Sequence, residues 1–189
     1  MSNNNLTVSL LRGINIGGHR VIKMAELKEI YAGHDLQNIS TYIVSGNVLC
    51  NFHHADSQES ISDLEQLISN SIMKKYSFDV PVMIRTRKEF IDMYNNNPFL
   101  EGVPKSERGN LLHLTALSDH PNEELVDKLE KEREAYLPDE FRIVGRHIYL
   151  KLSNGAKTKL NNNFFEKNLK VFATQRNWRT ITELVNMLK

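Results

Sequence analysis

A single cysteine, Cys50, stands among 189 residues. One thiol can form neither an internal disulfide nor a multi-cysteine metal framework, so the chain must be held by its core alone, and it reads as a protein of a reducing compartment. An excess of one charge is lacking too: 24 lysines and arginines face 23 aspartates and glutamates, a formal net charge of +1. A nucleic-acid binder usually carries a strongly basic face, so any cationic site here must be local. No apolar run approaches the ~20 residues that a membrane-spanning helix needs. The opening Met1-Ser2-Asn3-Asn4-Asn5 shows neither the cationic segment nor the apolar stretch of a leader. A cytoplasmic protein without membrane contact is therefore expected. What is present, 40% hydrophobic and 25% charged residues, is the composition of a globular protein with room for two compact domains.

Hydrophobic spacing predicts the elements. Residues 6–11 are short, apolar and β-branched, as in a strand. Met24, Leu27, Ile30 and Tyr31 then recur at helical intervals, giving a helix over 23–33 with Gly33 at its end. Thr41–Val44 and Val48–Phe52 flank Ser45-Gly46-Asn47 as a hairpin. Asp56 or Ser57 caps a helix that ends near Tyr76, with Ile61, Leu64, Leu67, Ile68 and Ile72 as its apolar stripe. Val80–Arg85 closes the unit as a strand, and Pro81 places that strand at a sheet edge. The order βαββαβ predicts an α+β fold with helices on one face of an antiparallel sheet, the ferredoxin-like arrangement.

Beyond a helix over 87–95, the polar stretch through Arg108, with Gly102, Pro104 and Gly109 nearby, reads as a linker. Leu111–Leu117 is a strand. Asp119 or His120 caps a helix that begins at Pro121 and buries Leu125, Val126, Leu129 and Tyr136, while Glu130–Glu134 is a solvated face. Residues 141–144 and 147–152 form a second hairpin about Gly145-Arg146, followed by helices near 158–169 and 177–188. The second half thus repeats β-α-β-β-α without an evident last strand, a structural duplication with no visible sequence repeat. Two domains are expected: 1–95, an N-terminal ferredoxin-like half, and 96–189, a C-terminal ferredoxin-like half with extra C-terminal helices.

Candidate chemistry lies at both ends of the chain. Leu11-Arg12-Gly13-Ile14-Asn15-Ile16-Gly17-Gly18, with Arg20 and Lys23 behind it, combines glycines that free the backbone with cations that suit an anion. It lacks the Lys-Ser/Thr ending of a P-loop and the spacing of a dinucleotide fingerprint. In a ferredoxin-like sheet this loop emerges beside Ser45-Gly46-Asn47 and the N-terminus of the first helix, where unpaired amides favour negative charge. The C-terminal stretch brings Lys157, Lys159, Arg176, Asn177, Trp178 and Arg179. Trp178 also reads as a core anchor and Asn177 as a helix cap. Ser45 reads as a turn residue. His53-His54 has no third ligand at a metal-site spacing, so no metal is expected, and nothing calls for a cofactor. Cys50, mid-strand, behaves as a small buried hydrophobe.

These motifs together resemble the bacterial family catalogued as domain of unknown function 1697. The resemblance rests on Leu11–Gly18, on Lys23-Met24, and on Tyr42–Val48 as Tyr-x-x-Ser-Gly-Asn-Val. It continues through Asn97-Pro98-Phe99, Thr158-Lys159-Leu160 and Thr174-Gln175-Arg176-Asn177-Trp178. It implies ferredoxin-like halves and a bacterial cytoplasmic protein, and it implies no reaction. Thr158 stands where the family has serine, and Arg179 where it has asparagine.

The leading expectation is a composite site for a small phosphorylated or nucleotide-like anion. It joins Arg12, Gly13, Asn15, Gly17, Gly18, Lys23, Ser45, Asn47, Lys159, Arg176, Asn177 and Trp178. Neither a carboxylate pair nor a Ser–His–Asp set appears at a recognisable spacing, so no catalysis is assigned. A nucleic-acid module is the alternative of another class, and the near-neutral charge and the lack of aromatics on strand one weigh against it. A structural or protein-interaction role is the third.

Overall fold

The computed structural model describes residues 5–55, 57–153 and 158–189. The chain folds as two compact units, one ending at Asp92 and the other running from Met93 to Met187. The first unit contains β1 (Leu6–Leu11), α1 (Met24–Ala32), β2 (Gln37–Tyr42), β3 (Asn47–Asn51), α2 (Gln58–Tyr76) and β4 (Val82–Thr86). Its sheet is antiparallel in the order β2-β3-β1-β4, which puts β4 at an edge, as Pro81 requires.

The core of this unit packs Leu11, Val48, Cys50, Val82 and Ile84 of the sheet against Leu27 and Tyr31 of α1 and Ile61, Leu64, Ile68 and Ile72 of α2. Each fully buried aliphatic of this kind stabilises the fold by about 1.5–3 kcal/mol relative to exposure. Leu67, expected in the stripe, is exposed; its neighbours at helical spacing already fill the face. Ser57 caps α2, its hydroxyl accepting from the Ser60 amide at 3.1 Å; Asp56 lies outside the described residues. Glu65 ties α2 to β4 by accepting the Ile84 amide at 2.6 Å.

The hairpin departs from the sequence expectation. Its first strand is Gln37–Tyr42, not Thr41–Val44, and residues 43–46 form the turn. The β-branched run misleads because Ile43 takes a left-handed φ of 48°. The side chain of the buried Asn47 closes the turn by donating to Tyr42 O and to Ser45 Oγ, both at 3.0 Å.

α3 (Arg87–Asn95) leads to the second unit's α4 (Lys105–Leu111), β5 (Leu112–Leu117), α5 (Glu123–Lys131), β6 (Glu140–Val144), β7 (His147–Lys151), α6 (Asn162–Leu169), β8 (Ala173–Asn177) and α7 (Trp178–Met187). The sheet order is β6-β7-β5-β8. Three expectations are corrected here. The supposed linker is packed: Asn97, Phe99 and Val103 are buried, and α4 follows because Arg108 gathers the carbonyls of Val103 and Leu100. The cap of α5 is Asn122, which accepts from the amides of Glu124 and Leu125, so Pro121 precedes the cap instead of opening the helix. The missing last strand exists: Ala173–Asn177 pairs with β5 through its whole length. Within the charged run, Glu130 also accepts from the Ile143 amide and so fastens α5 to the sheet.

The duplication extends to the register. Leu6 faces Asn51 as Leu112 faces Lys151, and Leu10 faces Asn47 as Ala116 faces His147. Thr7 faces Thr86 as His113 faces Asn177, and Leu11 faces Val82 as Leu117 faces Ala173. Caps coincide as well: Thr86 Oγ1 accepts from the Glu89 amide, and Asn177 Oδ1 from the Thr180 amide, at 3.2 and 2.9 Å. Arg85 and Arg176 occupy the same place, both buried, and the Nη1 of each donates to the preceding carbonyl at 2.8 and 2.9 Å.

His113 gives a measurable consequence. Burial lowers its pKa from 6.5, and a hydrogen bond to the Leu111 backbone opposes this only in part. The unfolded state therefore takes up the proton first as pH falls. Stability is full above about pH 6.5 and declines below it. His113→Gln should flatten that decline in urea titrations between neutral pH and pH 5; an unchanged slope would remove His113 as its source.

Candidate functional site

The end of the first sheet where β1 leaves and the hairpin turns is welded by backbone contacts. The Leu11 amide donates to Gly46 O at 2.8 Å, and the Arg12 amide to Pro81 O at 2.9 Å. Gly46 sits at φ 80°, and a Cβ on it would lie 2.7 Å from the Leu11 Cβ and 3.0 Å from the Ile14 Cδ1. Only glycine fits there. The expected neighbourhood of the β1–α1 loop and Ser45-Gly46-Asn47 is thus present within this unit.

Asn15 organises the loop. Its Oδ1 accepts from the Ile22 amide at 2.8 Å, and its Nδ2 donates to Ile22 O at 3.0 Å and across the hairpin to Val44 O at 2.7 Å. The backbone beside it closes through Asn15 N to Arg20 O and His19 N to Ile16 O. Asn15, Arg20, Gly13, Gly17 and Gly18 all have positive φ. Gly17 and Gly18 are exposed, and a Cβ on Gly18 would meet nothing within 4 Å, so the space above the loop is open. The Arg20 guanidinium folds back to 3.8 Å from the position of a Cβ on Gly13. Arg12 is half-buried; Lys23 is exposed, its Nζ 3.8 Å from Glu26. Lys23 caps α1 without a side-chain bond, leaving the first-turn amides to solvent or a ligand.

The second unit holds the other candidates. Trp178 is 3% exposed and stacks on Tyr94 with centroids 5.2 Å apart and planes 9° apart. Arg176 is 9% exposed, with Nη1 on Thr174 Oγ1 and on Gln175 O, both at 2.9 Å. Asn177 caps α7 and Lys159 is exposed; Lys157 lies outside the described residues. Thr158 donates to Asp139 at 2.6 Å and accepts from the Leu160 amide at 3.0 Å. Burial raises the Asp139 pKa, but bonds from Thr158 and from Ser153 outweigh it and hold the carboxyl below its usual value.

Two features of this end are hidden from the sequence: the reach of Arg20 over Gly13, which no spacing reveals, and the aliphatic turn residues Ile43 and Val44, which read as strand. Among the described residues no three His, Cys, Asp or Glu side chains gather as a metal site would need, and no helix is long and apolar enough to cross a membrane.

Two ferredoxin-like halves with a glycine-rich, cationic loop define the class. The chain belongs to the DUF1697 family of proteins of unknown function, whose model matches residues 5–149. No curated protein matches the sequence. The conserved bacterial protein SP0830 from Streptococcus pneumoniae is similar in fold, with 22% identity over 97% of this chain and 98% of that one and a TM-score of 0.61.

The tight turn and the buried thiol can each be tested. Gly46→Ala should cost about 2–4 kcal/mol, from the left-handed backbone together with overpacking against Leu11 and Ile14, read as a lowered urea midpoint; a neutral effect would show that the turn yields. Cys50 is fully buried and burial pushes its thiol up to about 11, against a smaller opposing effect of Thr7. The native protein should resist a thiol reagent at neutral pH and react on unfolding, whereas rapid native labelling would contradict the reading of Cys50 as a buried hydrophobe.

Proposed function

We propose that the β1–α1 loop and hairpin tip of the first unit bind a small phosphorylated or nucleotide-like anion. The observation that carries this reading is that one Asn15-braced loop carries Arg12, Arg20 and Lys23 along its length and exposes its Gly17-Gly18 backbone. Guanidinium forks and backbone amides are the donors that phosphate oxygens accept from most strongly. Asn15 and Asn47 place the loop and the tip, since their side chains bond to neighbouring backbone and Asn47 donates to Ser45 Oγ. Arg176 and Trp178 are buried within the second unit. The role assigned is binding, in a cytoplasmic setting, with no reaction attached.

The alternative as an RNA-recognition module lacks support at the sheet. The face of β1 and β3 that points away from the helix-side core carries Val8, Leu10 and Leu49, all buried, so it offers a base neither an exposed surface nor an aromatic ring on which to stack. Phe52, the aromatic nearest β3, packs against the helix-side core.

A thermal-shift series with pyrophosphate, nucleotides, phosphosugars and coenzyme A tests the proposal. A ligand at about a hundred times its dissociation constant adds about 2.7 kcal/mol to the native state. Arg12→Ala and Arg20→Ala should each abolish most of that gain while the Lys159→Ala variant keeps it. Absence of a shift with every anion would overturn the reading.

A further inference from the structure

The same end of the first unit presents a feature that a small anion leaves unused. Ile16 and Val44 are each 62% exposed, Val21 57% and Ile43 51%. They stand on one frame, because Asn15 in the loop bonds to Val44 O and Ile22 O. Ile43 holds its place at φ 48°, a region that strains a β-branched residue and that asparagine or glycine occupies more cheaply. An exposed, strained isoleucine contributes nothing to the core.

Ile43 and Val44 lie in the turn that directly follows β2, an edge of the sheet. The run Gln37–Val44 contains no charged residue and no proline. Its counterpart in the duplicated ladder, β6, carries Glu140 and Arg142, with Glu140 paired to Lys151 at 2.8 Å. Edge strands are ordinarily blunted by charge, proline or a bulge; β2 has an irregularity between Gln37 and Ser40, which leaves the short stretch Ser40–Tyr42 as an uncharged template with the exposed turn residues Ile43 and Val44 beside it. Around it cations gather in the loop, with Glu26, 3.8 Å from Lys23, the acid in the first turn of α1. Residues 1–25 and 36–55 contain no aspartate or glutamate, whereas Arg12, Arg20 and Lys23 are among them.

We propose that the open edge of β2 and this loop end form a docking surface for an extended acidic segment of a partner protein. The segment adds its main chain to β2, seats aliphatic side chains on Ile43, Val44, Ile16 and Val21, and turns carboxylates toward Arg20 and Lys23. A second copy of the chain would bring the same cations face to face. A lipid surface has no main chain to offer the edge and gains nothing from a frame so firmly braced, whereas a protein partner gains from preorganisation. This reading stands apart from the small-anion proposal, since either can hold without the other.

Selection of short random peptides displayed on phage against the full chain is the test, followed by synthesis of the enriched sequences and anisotropy titration. Peptides alternating aliphatic and acidic residues are expected. They should bind Val44→Asp and Arg20→Glu at least tenfold more weakly, and N-methylation of one alternate set of their amides should abolish binding while the other set tolerates it. Circular dichroism confirms folding of each variant, and Ile16→Ser, at an exposed loop position, replaces Val44→Asp if that chain does not fold. Failure to enrich any peptide, enrichment of sequences without carboxylates, indifference to the variants or to N-methylation, or binding to phosphatidylserine vesicles in place of peptides would each overturn the proposal.

Discussion

The contact of Gly46 with Leu11 is the constraint on which the loop end of the first unit depends. The hairpin tip approaches β1 so closely that the Leu11 amide reaches Gly46 O, with no room for a Cβ between them. That closeness brings Val44 O within reach of Asn15, and Asn15 in turn fixes Ile22 and the entry to α1. One backbone approach thereby sets the position of two loops, a helix start and the cations they carry. The second unit uses the same bond, from the Leu117 amide to Arg146 O, but follows it with a short path to α5 and no glycine pair. Ladder geometry is shared between the halves, and elaboration of the loop is confined to one of them.

Much of this was legible in the residues because local and long-range preferences agree there. Ser57 before an apolar stripe, Pro81 ahead of an edge strand and Gly46 in a hairpin each state a physical requirement that the fold meets. Two of the failures share one cause: short polar elements whose structure comes from pairing. β2 reads Gln-Asn-Ile-Ser-Thr-Tyr and β8 reads Ala-Thr-Gln-Arg-Asn; neither alternates apolar and polar residues, and each is a strand because a neighbour supplies the ladder. The reverse error occurs at Ile43 and Val44, where β propensity yields to the geometry of the turn.

The candidate site was partly legible for the same reason. Glycines and cations in sequence mark out the loop, and the fold puts the hairpin tip beside it. What the sequence conceals is the division of labour among asparagines and arginines. Asn15 and Asn47 bond to neighbouring backbone, and Arg176 is the buried counterpart of Arg85, a kinship that appears only when the two ladders are aligned residue by residue.

Identical registers carry a cost during folding. A hairpin that fits β1 also fits β5 by backbone geometry, so the chain must reject the exchange of hairpins between halves while both are incomplete. Side chains perform that rejection. Thr7 Oγ1 meets Cys50 Sγ at 3.4 Å in one ladder, whereas His113 faces Leu150 in the other, and crossing the pairs would lose the hydroxyl–thiol contact and set the imidazole against the thiol. The divergence that hides the repeat in the sequence is what keeps the two halves from mistaking each other as they form.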